Sequence, residues 1–495
     1  MRLVLDGLDQ LNPEAASDIR AGLRRLHGDP ACPHVHLILG QRTAPGTGPS
    51  SGAGGPPPDG QPGGGPGGVP GGLLAEGGLV LTVEAPQETV LVRYLQRRRL
   101  PVALAVRVAR ECARGGGAWL LARLVGDIYP DLDQTDQQDL LTRLEPVQPG
   151  SSAGDGAAER VAVLAWLYDR QLSQLGADEP DRWGGQLRPV LTPLVAAGAG
   201  PVMPVALLAA VSAHFGGPAD IPGVRAVLAQ LGRLVVRYDP GTDDELVGLF
   251  HPTLTEHLGG HAAQRVDVIG GHRVLLAEID RLAPVSGLYL DNPLSRWAAE
   301  AEAEHLWQLG EITFALKALK RRPLPTPQRN LDRWIRWHQR VHTARGPHHP
   351  QTLQCRAAVG YWTGEAGSSA QALALYRRLL PDWQRVLGPD HPDTLTTRGN
   401  IAAWTGKCGQ GADALALFRK LLPDQQRVLG PASPGTLTTR SNIAFWTGET
   451  GQVAEALALF RKLLPDQQRV LGPDHPDTVG TQRQIVRLEG GLAGG

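Results

Sequence analysis

Apolar positions change their spacing several times along the chain, and those changes divide it. Leu3-Val4-Leu5 is an unbroken apolar run, Pro13–Leu26 carries apolar residues at helical spacing, and Val35–Leu39 opens by alternating histidine with apolar residues. Short apolar runs suit buried strands and a 3.6-residue period suits a helix, so residues 1–43 predict strand, helix, strand, one βαβ unit of a parallel sheet. From Pro45 to Gly72, glycine and proline supply 21 of 28 residues. Such text has almost nothing to bury, and 44–78 is expected to be a disordered insertion. A strand at Leu79–Val83 and helical text to about Leu144 define 79–145. After a break at Pro146–Gly156 comes a mostly helical block, 157–261, and then a helical linker, 262–326. Pro189–Phe215 contains no Asp, Glu, Lys or Arg. Its prolines (Pro193, Pro201, Pro204) predict two short buried helices there rather than a membrane span.

The strongest signal lies in 327–490. Trp362, Trp404 and Trp446 are separated by 42 and 42 residues, and Leu-Pro recurs at 380–381, 422–423 and 464–465. His-Pro recurs at 349–350, 391–392 and 475–476, with Ser433-Pro434 in the remaining slot. A fixed period of this length means stacked supersecondary units. Each unit predicts two helices. The first starts after His-Pro and ends at a turn such as Lys407-Cys408-Gly409-Gln410. The second runs from about Ala412 to Leu429 and stops at Gly430-Pro431. Pro423, inside that second helix, is expected to kink it or mark a new start.

The unit resembles the tetratricopeptide repeat in its long, kinesin-light-chain form, on Ile401-Ala402, Gly409, Ala414, Phe418 and Leu421. Trp334–Arg345 is similar to the second helix of a degraded earlier repeat, and Thr478–Leu488 to a capping helix. The resemblance implies an α-α superhelix whose first helices line a groove. Positions i, i+4, i+7 and i+11 share one helical stripe: Gln354, Ala358, Tyr361 and Glu365, then Thr396, Asn400, Ala403 and Lys407, then Thr438, Asn442, Phe445 and Glu449. In the family this stripe lines the peptide-binding groove, and the family's ligand-contacting asparagine falls on Asn400 and Asn442. Tyr361, Asn400, Lys407, Asn442 and Phe445 are therefore the expected contacts of a protein or peptide partner. The tryptophans are expected to be packing residues.

The front half resembles another family. Leu3-Val4-Leu5-Asp6-Gly7-Leu8-Asp9-Gln10-Leu11 looks like the Walker B strand of STAND-class NTPases, close to their NACHT members. A strand of this kind delivers Asp6 to a magnesium ion and lets Asp9 orient the attacking water. Arg42, after the second strand, matches the family's phosphate-sensing arginine. Residues 112–124 are similar to the start of a helix in the family's helical domain, and Val247–Pro252 with Glu256-His257-Leu258 to the end of its winged-helix domain. There the family's histidine reaches the β-phosphate of ADP, a role that maps onto His251. The resemblance implies a remnant of an α/β P-loop NTPase core, then helical and winged-helix domains, in a mainly α chain, with ATP or ADP and Mg2+ as cofactors and nucleotide-dependent oligomers in a full-length form. It departs from the family at the Walker A: GxxxxGK[ST] occurs nowhere. The phosphate-cradling loop normally precedes the Walker B strand, so this polypeptide is expected to bind ATP weakly and to be inactive as an ATPase alone.

Composition narrows the alternatives. The 495 residues hold 49 basic and 49 acidic side chains, and a formal charge of zero argues against a protein built to hold nucleic acid or an anionic membrane. Four scattered cysteines form no CxxC and suit a reducing, cytoplasmic setting. No GxSxG or HExxH is present. His338 and His342 stand at i, i+4 without an acidic partner, the pattern of a solvated helix face rather than a metal site. Two functional readings stay open: a regulatory, signalling STAND-type protein whose repeats bind a partner, and a plain repeat scaffold without nucleotide function.

Overall fold

The computed structural model describes residues 2–5, 36–39, 88–113, 118–144, 153–198, 203–260, 264–285 and 293–493. The described chain is mainly helical and divides into two compact units, 1–301 and 302–495. Asp6, Asp9, Arg42, the Gly/Pro-rich insertion and the strand expected at Leu79–Val83 lie outside the described residues.

In the first unit, β1 (Arg2–Leu5) pairs in parallel with β2 (His36–Leu39), Leu3 opposite Leu37 and Leu5 opposite Leu39. Parallel neighbours need a crossover, as the strand–helix–strand spacing predicts. Four helices follow: α1 (Glu88–Arg97), α2 (Val102–Ala113), α3 (Ala118–Ile128) and α4 (Gln134–Arg143). They bury leucine and valine at helical spacing, among them Leu91, Leu95, Leu104, Val108, Leu121 and Val125. The core continues through α5 (Ala153–Gln174) and α6 (Arg188–Ala197) into a small sheet. There β3 (Met203–Pro204) leads to α7 (Val205–His214), α8 (Ile221–Leu231), β4 (Val235–Tyr238), β5 (Leu246–Leu249) and α9 (Pro252–Gly260). The sheet is antiparallel, in the order β3-β5-β4. The uncharged stretch from Pro189 to Phe215 thus forms two short helices, and no described helix is long and apolar enough to cross a membrane.

Glu245 fixes this small sheet. Its carboxylate is fully buried and accepts from Arg225 Nε (2.8 Å), Arg237 Nε (2.6 Å) and the Gly241 backbone N–H (3.0 Å). Burial alone would raise its pKa, but the hydrogen bonds from Arg237, Gly241 and Arg225 outweigh it and hold the group below the ordinary value. Beyond the sheet lie α10 (Val268–Leu282), capped by Asp267, and α11 (Pro293–Gln308), which carries the boundary between the units.

The second unit is a stack of helix pairs: α12 (Ile312–Arg321) with α13 (Pro327–Arg345), α14 (Pro350–Glu365) with α15 (Ser369–Leu387), α16 (Pro392–Lys407) with α17 (Gly411–Val428), α18 (Pro434–Glu449) with α19 (Val453–Val470), and a last helix, α20 (Pro476–Ala493). The repeated residues explain the repeated geometry. His349 and His391 cap α14 and α16, each Nδ1 accepting the backbone N–H two residues on, and Ser433 caps α18 through its hydroxyl. Proline follows at the first helical position, where its missing N–H has no consequence. Thr352, Thr394 and Thr436 are fully buried, and each Oγ1 donates at 2.8 Å to the carbonyl of Gly346, Gly388 or Gly430. Gly388 ends α15 at φ 91°, a backbone conformation that a side chain would strain. The second helices run unbroken past Pro381, Pro423 and Pro465. The new start expected at Pro423 is absent: the helix absorbs the lost hydrogen bond, held by the packed residues Phe418, Leu421 and Gln425 on either side.

One kind of contact joins neighbouring repeats and another closes each repeat on itself. A Cβ placed on Gly364 would collide with the ring of Trp404, and one on Gly406 with the ring of Trp446. Each tryptophan thus fills a hole left by the preceding repeat's glycine. Within each repeat, a first-helix arginine meets a second-helix aspartate: Arg356 with Asp382 (2.6 Å), Arg398 with Asp424 (2.7 Å) and Arg440 with Asp466 (2.7 Å).

Gly406→Ala should therefore destabilise the array by about 1–3 kcal/mol, despite alanine's better helix propensity, because the ring has nowhere to go. Gly448→Ala, whose new methyl would stand 3.3 Å from Ala456 Cβ, should cost less. Urea unfolding of both variants checks the order.

The ion pairs predict acid sensitivity. Hydrogen bonds from Arg356 and Arg440 hold the carboxyls of Asp382 and Asp466 below the ordinary 3.8. A pKa lower in the folded than in the unfolded state gives stability that is complete above the unfolded value and lost as pH falls through the folded one. Urea midpoints should drop between about pH 4 and pH 2, with a shallower drop in Asp382→Asn/Asp466→Asn.

Candidate peptide-binding face of the repeat array

The first helix of each repeat has two unlike faces. One carries Leu353, Leu395 and Leu437 with the buried threonines and packs into the stack. The opposite face is the stripe singled out by spacing, and every position on it keeps some exposure: Tyr361, Glu365, Thr396, Lys407, Thr438 and Glu449 are exposed, and Asn400, Ala403, Asn442 and Phe445 are half-buried. First helices α16 and α18 touch each other directly, so the stripes of neighbouring repeats lie side by side.

The five expected contacts fall into two groups. Around the first boundary, Tyr361 stacks edge-on to Trp362 (5.1 Å between centroids) and reaches Trp404 (6.5 Å). Lys407 Nζ lies 4.3 Å from the centre of the Trp404 ring and 3.0 Å from Glu365 Oε1. Burial pushes the Tyr361 phenol up, and the charge of Glu365 adds to it. Lys407 is thus not a bare cation waiting for a carboxylate. Its charge is half answered across the repeat boundary, a pairing that spacing within one helix could not reveal. Asn400, one turn before Trp404, has no hydrogen-bonded partner among the described residues.

On α18, Asn442 Nδ2 donates to its own helix at Thr438 O (3.0 Å), which leaves Oδ1 as an acceptor. Phe445 packs edge-on against Trp446 (5.0 Å) with part of its ring accessible. The three tryptophans are packing residues: Trp404 is 3% exposed, Trp446 fills the space over Gly406, and Trp362 joins the core of α12 and α13. The arginine–aspartate ladder and the threonine-to-glycine hydrogen bonds escaped sequence reasoning, although both repeat with the 42-residue period.

Of the four residues expected to serve nucleotide, only His251 lies among the described residues. His251 follows β5, and its Nδ1 accepts the Thr253 backbone N–H at 3.2 Å, with the Thr253 hydroxyl at 2.9 Å. That is the cap geometry of His391 at α16. Thr253 Oγ1 also meets the Tyr168 hydroxyl at 2.7 Å, and Phe250 lies beside both rings. On α13, His338 and His342 stack 5.9 Å apart, and burial lowers the pKa of His338.

A search of curated proteins finds no match. Solved structures similar to this chain include a substituted form of the nearly identical TPR-like repeats of a putative kinesin light chain from Podosopora anserina, at 19% identity, 39% of this chain, 83% of that chain and TM-score 0.28. The same repeats without that substitution match at 18% identity, over 40% and 87%, with TM-score 0.27. BtubC (BKLC) from P. vanneervenii matches at 15% identity, over 46% and 83%, with TM-score 0.28. The tetratricopeptide repeat model matches 352–393, 394–435 and 436–477, each span beginning at the buried threonine that ties a first helix to the preceding glycine, and this stretch is three tetratricopeptide repeats.

Proposed function

We propose that this chain is an interaction scaffold whose repeats hold a protein partner through an extended or helical peptide segment along the first-helix stripe. The observation that carries this reading is the repeated side-chain amide at one groove position, Asn400 and Asn442, each half-buried with hydrogen-bonding capacity left over, beside the accessible aromatics Tyr361 and Phe445. A bound peptide backbone offers the donors and acceptors such amides need. Lys407 contributes to a partner carboxylate by exchanging it for Glu365.

A second reading adds regulation by nucleotide in the manner of STAND proteins, with Asp6 as metal ligand, Asp9 positioning water, and Arg42 and His251 on phosphate, and with Mg2+ and ATP or ADP as cofactors. What favours it is the order helix, strand, two helices, two strands from α6 to β5, with the sheet in the order β3-β5-β4, a winged-helix arrangement, and the place of His251 directly after its last strand. The cap made by His251 accounts for the same histidine without nucleotide.

Substituting Asn400→Ala and Asn442→Ala together in the full chain should weaken a captured partner at least tenfold, at about 1–3 kcal/mol for each lost hydrogen bond to a buried group. Helicity should be unchanged. Binding that survives both changes but fails on altering the exposed Leu375 and Leu417 of the second helices would move the site to the other face.

For His251 the two roles separate cleanly. If it caps α9, His251→Asn retains stability and His251→Ala loses about 1 kcal/mol in urea unfolding, with or without ADP. A loss seen only with ADP present would instead support the nucleotide role.

A further inference from the structure

In the first unit, three arginines surround Asp127, near the end of α3. This carboxylate is 7% exposed and faces guanidinium groups from three separate elements. Arg98 Nη1 bonds Oδ1, and Arg123 Nε lies 3.7 Å from Oδ2. Arg233 Nη1 lies 3.8 Å from Oδ1 and donates to the Asp127 carbonyl at 2.7 Å. Among the described residues, no other carboxylate comes within ion-pair distance of these three side chains. Arg97 and Arg99, both exposed, flank Arg98 and enlarge the excess.

One arginine would suffice to tie the turn at 232–234 to α3. Three guanidinium groups offer roughly fifteen N–H donors, against about four lone-pair sites on one carboxylate. Their side chains are 42%, 47% and 57% exposed, so much of that capacity faces solvent. Two of them are already oriented. Arg98 lies 5.3 Å from the centre of the Tyr94 ring, and Arg123 lies 5.0 Å from that of Phe250. Stacking of this kind fixes the guanidinium plane before any ligand arrives. The Tyr94 phenol senses the whole group: burial raises its pKa, Arg98 opposes, Asp127 adds, and Arg123 and Arg233 oppose again. Arg99, next to the cluster, holds φ 66°, one of two non-glycine residues in the left-handed region among those described. Glycine would occupy this helix-ending position without strain, yet the chain places a fifth positive charge there.

We infer that this arginine cluster binds a compact polyphosphate group, either the free inorganic ion or the phosphate chain of a small molecule. The arrangement suits that chemistry better than an acidic peptide. Carboxylates on one face of an extended peptide are about 7 Å apart, whereas these guanidinium groups are gathered round the single carboxylate of Asp127, with their remaining donors side by side. Planar forks of donors match phosphate oxygens two at a time. The inference uses no residue of the groove and no Walker B residue: it rests on Arg98, Arg123, Arg233 and Asp127, on Arg97 and Arg99 beside them, and on the rings of Tyr94 and Phe250.

Titration calorimetry of the full chain with sodium tripolyphosphate, without magnesium, is the test. One saturable site tighter than about 1 mM is expected, weakening as salt is raised. Arg98→Gln/Arg123→Gln should reduce the affinity at least tenfold. Both side chains are more than 40% exposed, and unchanged circular dichroism verifies folding. Arg427→Gln, at an exposed pair with Asp390 in the repeats, should leave binding unchanged. Parallel titrations with ADP and with pyrophosphate tell the sources apart. Affinity equal to that of pyrophosphate means that an ester is accepted, and weaker affinity means that the free ion is preferred; both uphold the site. No saturable binding, an equal loss in Arg427→Gln, or displacement of tripolyphosphate by a lower concentration of oligoglutamate would overturn it, the last by assigning the patch to an acidic protein segment.

Discussion

The repeat array depends on a tryptophan ring seated over a glycine. Trp404 occupies the space that a side chain on Gly364 would need, and Trp446 does the same over Gly406. Because interiors pack at the density of organic crystals, a knob of this size fixes both the distance and the rotation between neighbours. The stripe positions share one face only while this spacing holds. Buried threonines tie each first helix to the glycine that ends the preceding repeat, and arginine–aspartate pairs close each unit on itself, with modest energies that would not assemble the stack alone.

The division of labour along a first helix follows. Towards the second helix, the first helix presents small or apolar buried residues and one arginine paired with an aspartate, and towards neighbouring first helices it presents large rings and glycines. What remains for solvent is a narrow line of amides, aromatics and charges. In the first unit a single buried carboxylate plays the comparable part: Glu245 gathers Arg225, Arg237 and the Gly241 amide and thereby sets the β4–β5 hairpin.

Much of this was legible in the sequence. The 42-residue recurrence of Trp362, Trp404 and Trp446 located the helix pairs to within a residue or two, since periodic text reports packing directly. Pro423 misled because a local rule, proline against helix, lost to the burial of Phe418 and Leu421 around it. The partner of Lys407 was illegible for a different reason. Glu365 lies 42 residues away, and only stacking makes them neighbours. The Asp127 cluster was hidden likewise, because Arg98, Arg123 and Arg233 have no common period and meet only in the folded unit. His251 matches a family position in the sequence, and its bond from the Thr253 backbone N–H is a helix-cap contact that the match does not contain.

The tryptophan–glycine joint also bears on how such an array can change over generations. Each boundary is the same joint, so excising 42 residues in frame would bring Trp446 onto Gly364 and leave no raw surface behind. Duplicating a unit would insert one more joint of the same design. The series stops where Leu488 stands in the slot that Trp446 and Trp404 hold earlier, opposite a Gly448 whose nearest neighbour is Ala456. Array length is therefore cheap to alter by recombination within the repeats, whereas the closing helix is the piece whose replacement would need new packing.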